Sequence, residues 1–170
     1  ILYMPTHREN NTKIALDLAR LNKKLQEINS LFIIKLHPFV LEFYKHTYKE
    51  LFSNIVFHNA NGDIYPLLKY VDVLVSDYSS IVYDFLLLNK PIIFYNYDID
   101  EYKKNVSLLF DYNEFSPGIK VETQDELENS FLQENLYFKQ REKIKNLFFD
   151  KIAQNICSKN VINKLLEGNR

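Results

Sequence analysis

Short apolar runs recur along this chain, each closed by a polar turn and followed by a segment with helical spacing. Residues 1–4, 31–36, 54–57, 73–76 and 91–95 read as strands, with 119–122 as a last short one. Residues 11–28 carry Ile14, Leu18, Leu21, Leu25 and Ile28 at helical spacing with charges between them. Residues 41–52, 64–69, 80–88, 124–132, 137–151 and 155–167 also read as helices, and 97–114 as a polar, aromatic and irregular stretch. Strands that alternate with helices from end to end imply a parallel sheet with right-handed crossovers, an α/β Rossmann-like fold. In such a sheet a ligand lies beyond the carboxyl ends of the strands, where the strand order reverses. For the order 3-2-1-4-5 that point falls between the first and fourth strands. The loops gathered there are Pro5-Thr-His-Arg8, His37-Pro38 and Ser76-Asp-Tyr-Ser-Ser80.

The last of these loops stands out. Val73, Leu74 and Val75 read as a strand covered on both faces. Ser76, Asp77, Ser79 and Ser80 then crowd the start of a helix whose Ile81, Val82, Phe85, Leu86, Leu87 and Leu88 make it apolar nearly all round, and so buried. A helix N-terminus attracts phosphate through its unpaired N–H groups and its dipole, and hydroxyls there add donors. One serine could simply cap the helix, but one cap needs one such residue.

Other polar residues cluster at strand ends. His37 precedes Pro38, which fixes the backbone after it and holds the imidazole at the end of the second strand. The alternative is a half-buried histidine bonding a carbonyl. Lys35, two residues earlier, points to the same side and is either a phosphate contact or a salt-bridge partner. Arg8 could grip a phosphate bidentately or pair with Glu9. Ser80 and Asp84 share a helix face, and a carboxylate one turn inside an apolar helix needs a partner: a ligand hydroxyl, a lysine or a backbone N–H. Asp98, Asp100, Glu101, Tyr95, Tyr97 and Tyr102 read as a solvated acidic and aromatic loop. No histidine or carboxylate spacing suggests a metal site, and no nucleophile elbow, Cys-His pair or P-loop is present.

Composition narrows the class. A length of 170 residues fits one domain spanning 1–170, and 46% hydrophobic residues suffice for a core. Lys and Arg number 21 against 22 Asp and Glu, so the basic face of a nucleic-acid protein is not expected. The lone Cys157 excludes an internal disulfide and fits a reducing, cytoplasmic compartment. No apolar run approaches the roughly 20 residues of a membrane helix. The start on a strand without Met suggests a piece of a longer protein.

Together, Pro5-Thr-His-Arg8, Lys35-Leu-His-Pro38, Asp72-Val-Leu-Val-Ser-Asp-Tyr-Ser-Ser80, Asp84, Lys90-Pro-Ile-Ile-Phe-Tyr95, Tyr97-Asp98 and Ser116-Pro-Gly118 resemble the C-terminal half of the CDP-glycerol glycerophosphotransferases, the teichoic-acid primases and polymerases. The resemblance covers roughly residues 1–132. It implies the donor-binding domain of a two-domain GT-B enzyme, with a CDP-activated donor as substrate and no cofactor. The acceptor site, the catalytic histidine and a lipid-linked polymer acceptor would belong to an N-terminal domain, and the full-length protein would sit peripherally at the inner face of the membrane. Carried over, His37, Ser79, Ser80, Arg8 and Thr6 would lie at the donor pyrophosphate, and the turn from Asn59 to Leu67 would meet the cytosine. Lys35, Pro38, Asp77 and Asp84 complete the donor-binding set. One stretch departs from the family: an Arg-Gly-Phe-Tyr-like segment that reaches the donor is replaced by Asn105-Val-Ser-Leu-Leu-Phe-Asp111, without arginine. A related CDP- or CMP-linked polyol or sugar is therefore an alternative donor. A non-catalytic nucleotide-binding module is the other reading.

Overall fold

Six short strands, each rich in Ile, Leu, Val and aromatics, form one sheet: β1 (Leu2–Met4), β2 (Phe32–Ile34), β3 (Ile55–Phe57), β4 (Leu74–Ser76), β5 (Ile92–Tyr95) and β6 (Ile119–Val121). In this computed structural model residues 1–8, 14–38, 40–41, 44, 52–59, 62–106, 110–133, 136–149, 162–164 and 166–167 are described. The order is β3-β2-β1-β4-β5-β6 and every pairing is parallel. The expected 3-2-1-4-5 order holds, with β6 added at the edge, and the reversal lies between β1 and β4. Strands buried on both faces explain why β4 and β5 carry no alternation of polar and apolar residues: every residue in both is buried.

The helices are α1 (Leu18–Glu27), α2 (Tyr65–Leu68), α3 (Ile81–Phe85), α4 (Ile99–Asn105), α5 (Tyr112–Phe115), α6 (Gln124–Ser130) and α7 (Phe138–Phe148). One core packs Leu18, Leu21 and Leu25 of α1 with Leu127 and Phe131 against one sheet face. The other packs Ile81, Val82 and Phe85 of α3 with Tyr112 and Ile144 against the opposite face. Arg141 of α7, 1% exposed, reaches Asn89 Oδ1 at 3.1 Å and ties α7 to the end of α3's continuation. Asn89 can stop that continuation because it adopts the left-handed conformation, φ 49°, that asparagine tolerates better than most residues.

Four local expectations are corrected. The first helix begins at Leu18, not at residue 11. Asp17 caps it by accepting from the Arg20 N–H, and upstream the Ile14 N–H instead donates to the Tyr44 hydroxyl at 2.7 Å. Residues 11–13 lie outside the described residues. The second helix starts earlier than residue 41, since Pro38 is already helical and the His37 carbonyl accepts from Val40 and Leu41. The segment after Ser80 is not buried all round: α3 tightens into a 3-10 turn over Leu86–Leu88 that leaves Leu87 45% and Leu88 37% exposed. The stretch 97–114 is not wholly irregular, because α4 and α5 form within it. Of the expected helix at 155–167, residues 162–164, 166 and 167 are helical and the others lie outside the described residues.

Gly118 enters β6 against the backbone of β5. A Cβ there would stand 2.2 Å from the Ile92 carbonyl oxygen, and backbone cannot swing aside. Gly118→Ala is expected to cost about 1–3 kcal/mol, whereas Gly62→Ala, whose nearest obstacle at 2.8 Å is the His58 ring, should stay within about 0.5 kcal/mol. Thermal melts of the two variants side by side check this, and equal melting temperatures would refute the close backbone approach.

Candidate functional site

Parallel register places the loops. Met4 pairs with Ser76 and Ser76 with Phe94, so the chain leaving β1, β4 and β5 emerges side by side at the carboxyl edge. Ser76, fully buried, locks the first two together by donating its hydroxyl to the Met4 carbonyl at 2.7 Å. The next residue, Asp77, is 2% exposed. Its carboxylate accepts from the Thr6 N–H at 2.8 Å, the Thr6 hydroxyl at 2.7 Å and the Tyr78 N–H at 2.6 Å. It also accepts from Arg8 Nη2 at 2.9 Å.

Arg8 faces a second carboxylate. Its Nε and Nη2 fork onto Asp98 at 2.8 and 3.0 Å, while Nη1 donates to the Thr6 carbonyl. The guanidinium lies over the rings of Tyr78, Tyr102 and Tyr97 at 5.3, 5.0 and 6.0 Å. Burial alone would lower its pKa, but the bond to Asp98 and the charge of Asp77 outweigh that and raise it. Burial, reinforced by the Asp98 charge, raises the pKa of Tyr78, so its hydroxyl stays protonated and donates to Asp98 at 3.1 Å. Burial pushes Tyr95 up to about 12, and its hydroxyl donates to the Ala15 carbonyl. Arg8 is thus a strap across three strand ends, with one cation held between two anions. The alternative pairing with Glu9 falls outside the described residues. The acidic and aromatic patch expected as a solvated loop is corrected here: Asp98, Tyr97 and Tyr102 build this cluster, because β5 delivers them beside β4, within reach of Arg8 from the loop after β1.

Ser79 and Ser80 line a cavity of about 220 Å3. Among the described residues Ser80, the N-cap of α3, makes no side-chain capping bond, and the Tyr83 N–H donates to the Ser80 carbonyl at 3.0 Å. Tyr83, Tyr102, Phe110, Tyr112 and Phe115 line the cavity with Asp111 and Ser116. The stretch from Asn105 to Asp111, which departs from the family pattern, therefore contributes Val106, Phe110 and Asp111 to the lining of the cavity that the serines share; residues 107–109 lie outside the described residues. The Tyr112 hydroxyl is buried there without a hydrogen bond of normal geometry among the described residues, although Ser116 biases its titration, and burial raises its pKa.

The remaining candidates sit around this centre. His37, exposed, stacks on His7 with ring centroids 4.6 Å apart, beside a small hollow shared with Thr6, Arg8 and Tyr97. Pro38 is the first turn of the helix after it. The Lys35 ammonium donates to the carbonyls of Asn59 at 2.7 Å and Gly62 at 3.0 Å, clamping the turn expected to meet the base. Partial burial lowers its pKa. Asp84 finds its partner in the Tyr65 hydroxyl at 2.8 Å, which joins α3 to α2. So Thr6, Arg8 and Asp77 are brought into direct contact, with His37, Ser79 and Ser80 around them. Lys35 with Asn59, and Asp84 with Tyr65, form two flanking groups. Tyr78, Tyr102, Asp111, Tyr112 and Phe115 were not singled out as site residues; tyrosines spaced along 78–112 were the available signal. Among the described residues no three His, Cys, Asp or Glu side chains converge as metal ligands, and no helix is long and apolar enough to cross a membrane.

Known proteins resemble this chain in sequence and in fold. Residues 1–167 match the family described as CDP-Glycerol:Poly(glycerophosphate) glycerophosphotransferase. The teichoic acid poly(ribitol-phosphate) polymerase of Bacillus spizizenii is 34% identical over 158 residues, 88% of this chain and 25% of that protein. The teichoic acid poly(glycerol phosphate) polymerase of the same organism is 32% identical over 98% of this chain and 44% of its own length. The chain thus spans a quarter to under half of these relatives. The structure of the wall teichoic acid polymerase TagF superposes with a TM-score of 0.77 at 23% identity, over 99% of this chain and 43% of TagF.

Proposed function

Since the chain belongs to the CDP-glycerol:poly(glycerophosphate) glycerophosphotransferase family, we propose that it is the donor-binding domain, the C-terminal half of a GT-B enzyme, of a transferase that moves a polyol phosphate from a CDP-activated donor to a growing teichoic-acid or capsule-type polymer. The observation that carries this reading is the meeting of the Thr6–Arg8, His37 and Ser79–Ser80 loops at the reversal of strand order, where an open α/β sheet takes its ligand. An acceptor hydroxyl attacks the β-phosphorus; the new P–O bond forms as the bond to CMP breaks, and the proton passes to a base supplied outside this chain. This chain holds the pyrophosphate in line and offsets its charge, the two contributions that dominate phosphoryl transfer. The Lys35 clamp presents the Asn59–Leu67 turn to the cytosine. The acceptor is a lipid-linked polymer, which places the full-length protein peripherally at the cytoplasmic face of the membrane.

The donor group is open to a second reading with its own support. The relatives named above divide between ribitol phosphate and glycerol phosphate, and the cavity that the serines line also carries Phe110 and Asp111 from the stretch without arginine. A larger CDP-linked polyol suits such a cavity, since hydroxyl-rich chains can stack on rings and donate to a carboxylate. Calorimetry on the full-length protein with CDP, CMP, cytidine and UMP tests the donor site. CDP should bind more tightly than cytidine and UMP more weakly than CMP. No heat with any cytidine nucleotide at millimolar concentration would overturn the reading.

A further inference from the structure

We propose that the cavity lined by Ser79 and Ser80 takes the transferred group itself, a polyol, and that Asp111 is the specificity-determining residue that reads its hydroxyls; the inference rests on the donor-site reading above. Strand order sets the direction in which a donor lies. The sheet runs β3-β2-β1-β4-β5-β6. The turn clamped by Lys35 follows β3, and the Asp77–Ser80 loop follows β4. Three strand spacings, about 14 Å, separate them. With the cytosine at the turn after β3 and the diphosphate at the loop after β4, the transferred group points onward, toward β5 and β6. The cavity lies on that side. Tyr102, Val106, Phe110, Asp111, Phe115 and Ser116 of its lining all come from the chain that connects β5 to β6.

The lining combines rings with a few placed polar groups, the usual make-up of a small-molecule site. A polyol lays its C–H groups on rings and donates its O–H groups to a carboxylate. Phe110 and Phe115 stack with centroids 4.9 Å apart, and Tyr83 lines the same space. Two carboxylates belong to the lining. Asp77, 2% exposed, is bonded to Thr6, Tyr78 and Arg8. Asp111 is exposed. It caps α5, and its Oδ1 accepts from the N–H groups of Asn113 and Glu114, both at 2.9 Å. Two backbone bonds on one oxygen hold the carboxylate in one orientation, with Oδ2 able to accept from a ligand hydroxyl.

The test is calorimetry on the full-length protein with CDP, CDP-glycerol, CDP-ribitol and CDP-choline, for wild type, Asp111→Ser and Asp111→Asn. Serine and asparagine both cap helices, so both variants should melt close to wild type. Asp111→Ser is too short to reach the ligand. It should weaken the CDP-polyols about tenfold or more, as expected for a lost hydrogen bond to a charged group, and should not weaken CDP. Asp111→Asn keeps an acceptor without the charge and should cost the CDP-polyols about fivefold. If Asp111→Ser melts lower, Asp111→Asn carries the comparison. Equal losses for CDP and the CDP-polyols would show that Asp111 acts through the fold and would overturn the proposal. Unchanged CDP-polyol affinity in both variants would overturn it too. A larger loss for CDP-choline than for CDP-ribitol would assign the rings and the carboxylate to a cation, and the polyol reading would fall. In each of these cases CDP binding by wild type leaves the donor-site reading standing. If wild type binds no CDP, that reading falls as well.

Discussion

Asp77→Ala is expected to destabilise the fold by about 3–5 kcal/mol, the usual consequence of removing one partner of a buried ion pair. Asp77 is 2% exposed and accepts from the Thr6 N–H, the Thr6 hydroxyl, the Tyr78 N–H and Arg8. Alanine strands these donors at the edge of the sheet, where little water reaches them. Asp98 still holds Arg8, so the guanidinium is not left alone and the loss falls short of complete unfolding. For a chain of this size the loss corresponds to a fall in Tm of about 6–20 °C. Asp77→Asn keeps an acceptor for Thr6 and removes only the charge, so it should fall between wild type and alanine. Urea denaturation of the three proteins measures the series. A loss below about 1 kcal/mol for alanine would show that Asp77 does not hold the loops of β1 and β4 together.

The double variant Ser79→Ala with Ser80→Ala should have the opposite profile, a large loss of CDP affinity with little loss of stability. Each hydroxyl that meets a charged phosphate contributes about 1.5–3 kcal/mol, so two together should weaken CDP at least a hundredfold at about 1.4 kcal/mol per decade. Ser80, the N-cap residue of α3, makes no side-chain capping bond among the described residues. Ser80 is exposed and Ser79 half-buried, so stability should change by no more than about 0.5 kcal/mol. Calorimetry with CDP and a thermal melt on the same samples separate the two quantities. A variant that melts far lower yet binds CDP like wild type would assign the serines to the fold alone.

The two expectations differ because two neighbouring positions in one loop have different surroundings. Asp77 follows the last residue of β4, with its side chain under the loop from β1. Ser79 and Ser80 lie beyond it, lining the cavity, Ser79 half-buried and Ser80 exposed. In the sequence all three read as one polar cluster, and nothing in residue type marks Asp77 as structural and the serines as available. The same holds for Arg8, which reads as a phosphate ligand or a partner of Glu9, with nothing in the sequence to point to the Asp77 and Asp98 that it meets in the structure. The helix ends show a related limit. Ile14 fits the helical period of α1, but the Asp17 cap and the Tyr44 hydroxyl take the chain out of the helix before it.

What the sequence by itself determined is the parallel α/β sheet, the loops that an order of 3-2-1-4-5 would gather at its switch point, and the family. These rest on local patterns: apolar triplets, helical spacing, and motifs whose residues lie within a few positions of each other. Only the tertiary structure decided what each polar side chain faces. Arg8 meets Asp77 and Asp98 across 69 and 90 residues of chain, and Lys35 meets the turn at Asn59 across 24. Such pairings depend on strand register and on the path of each loop, which no periodicity carries. The Asp98 loop read as solvated because its residues are polar, and it is half-buried because β5 ends beside β4 and Arg8 reaches it from the loop after β1.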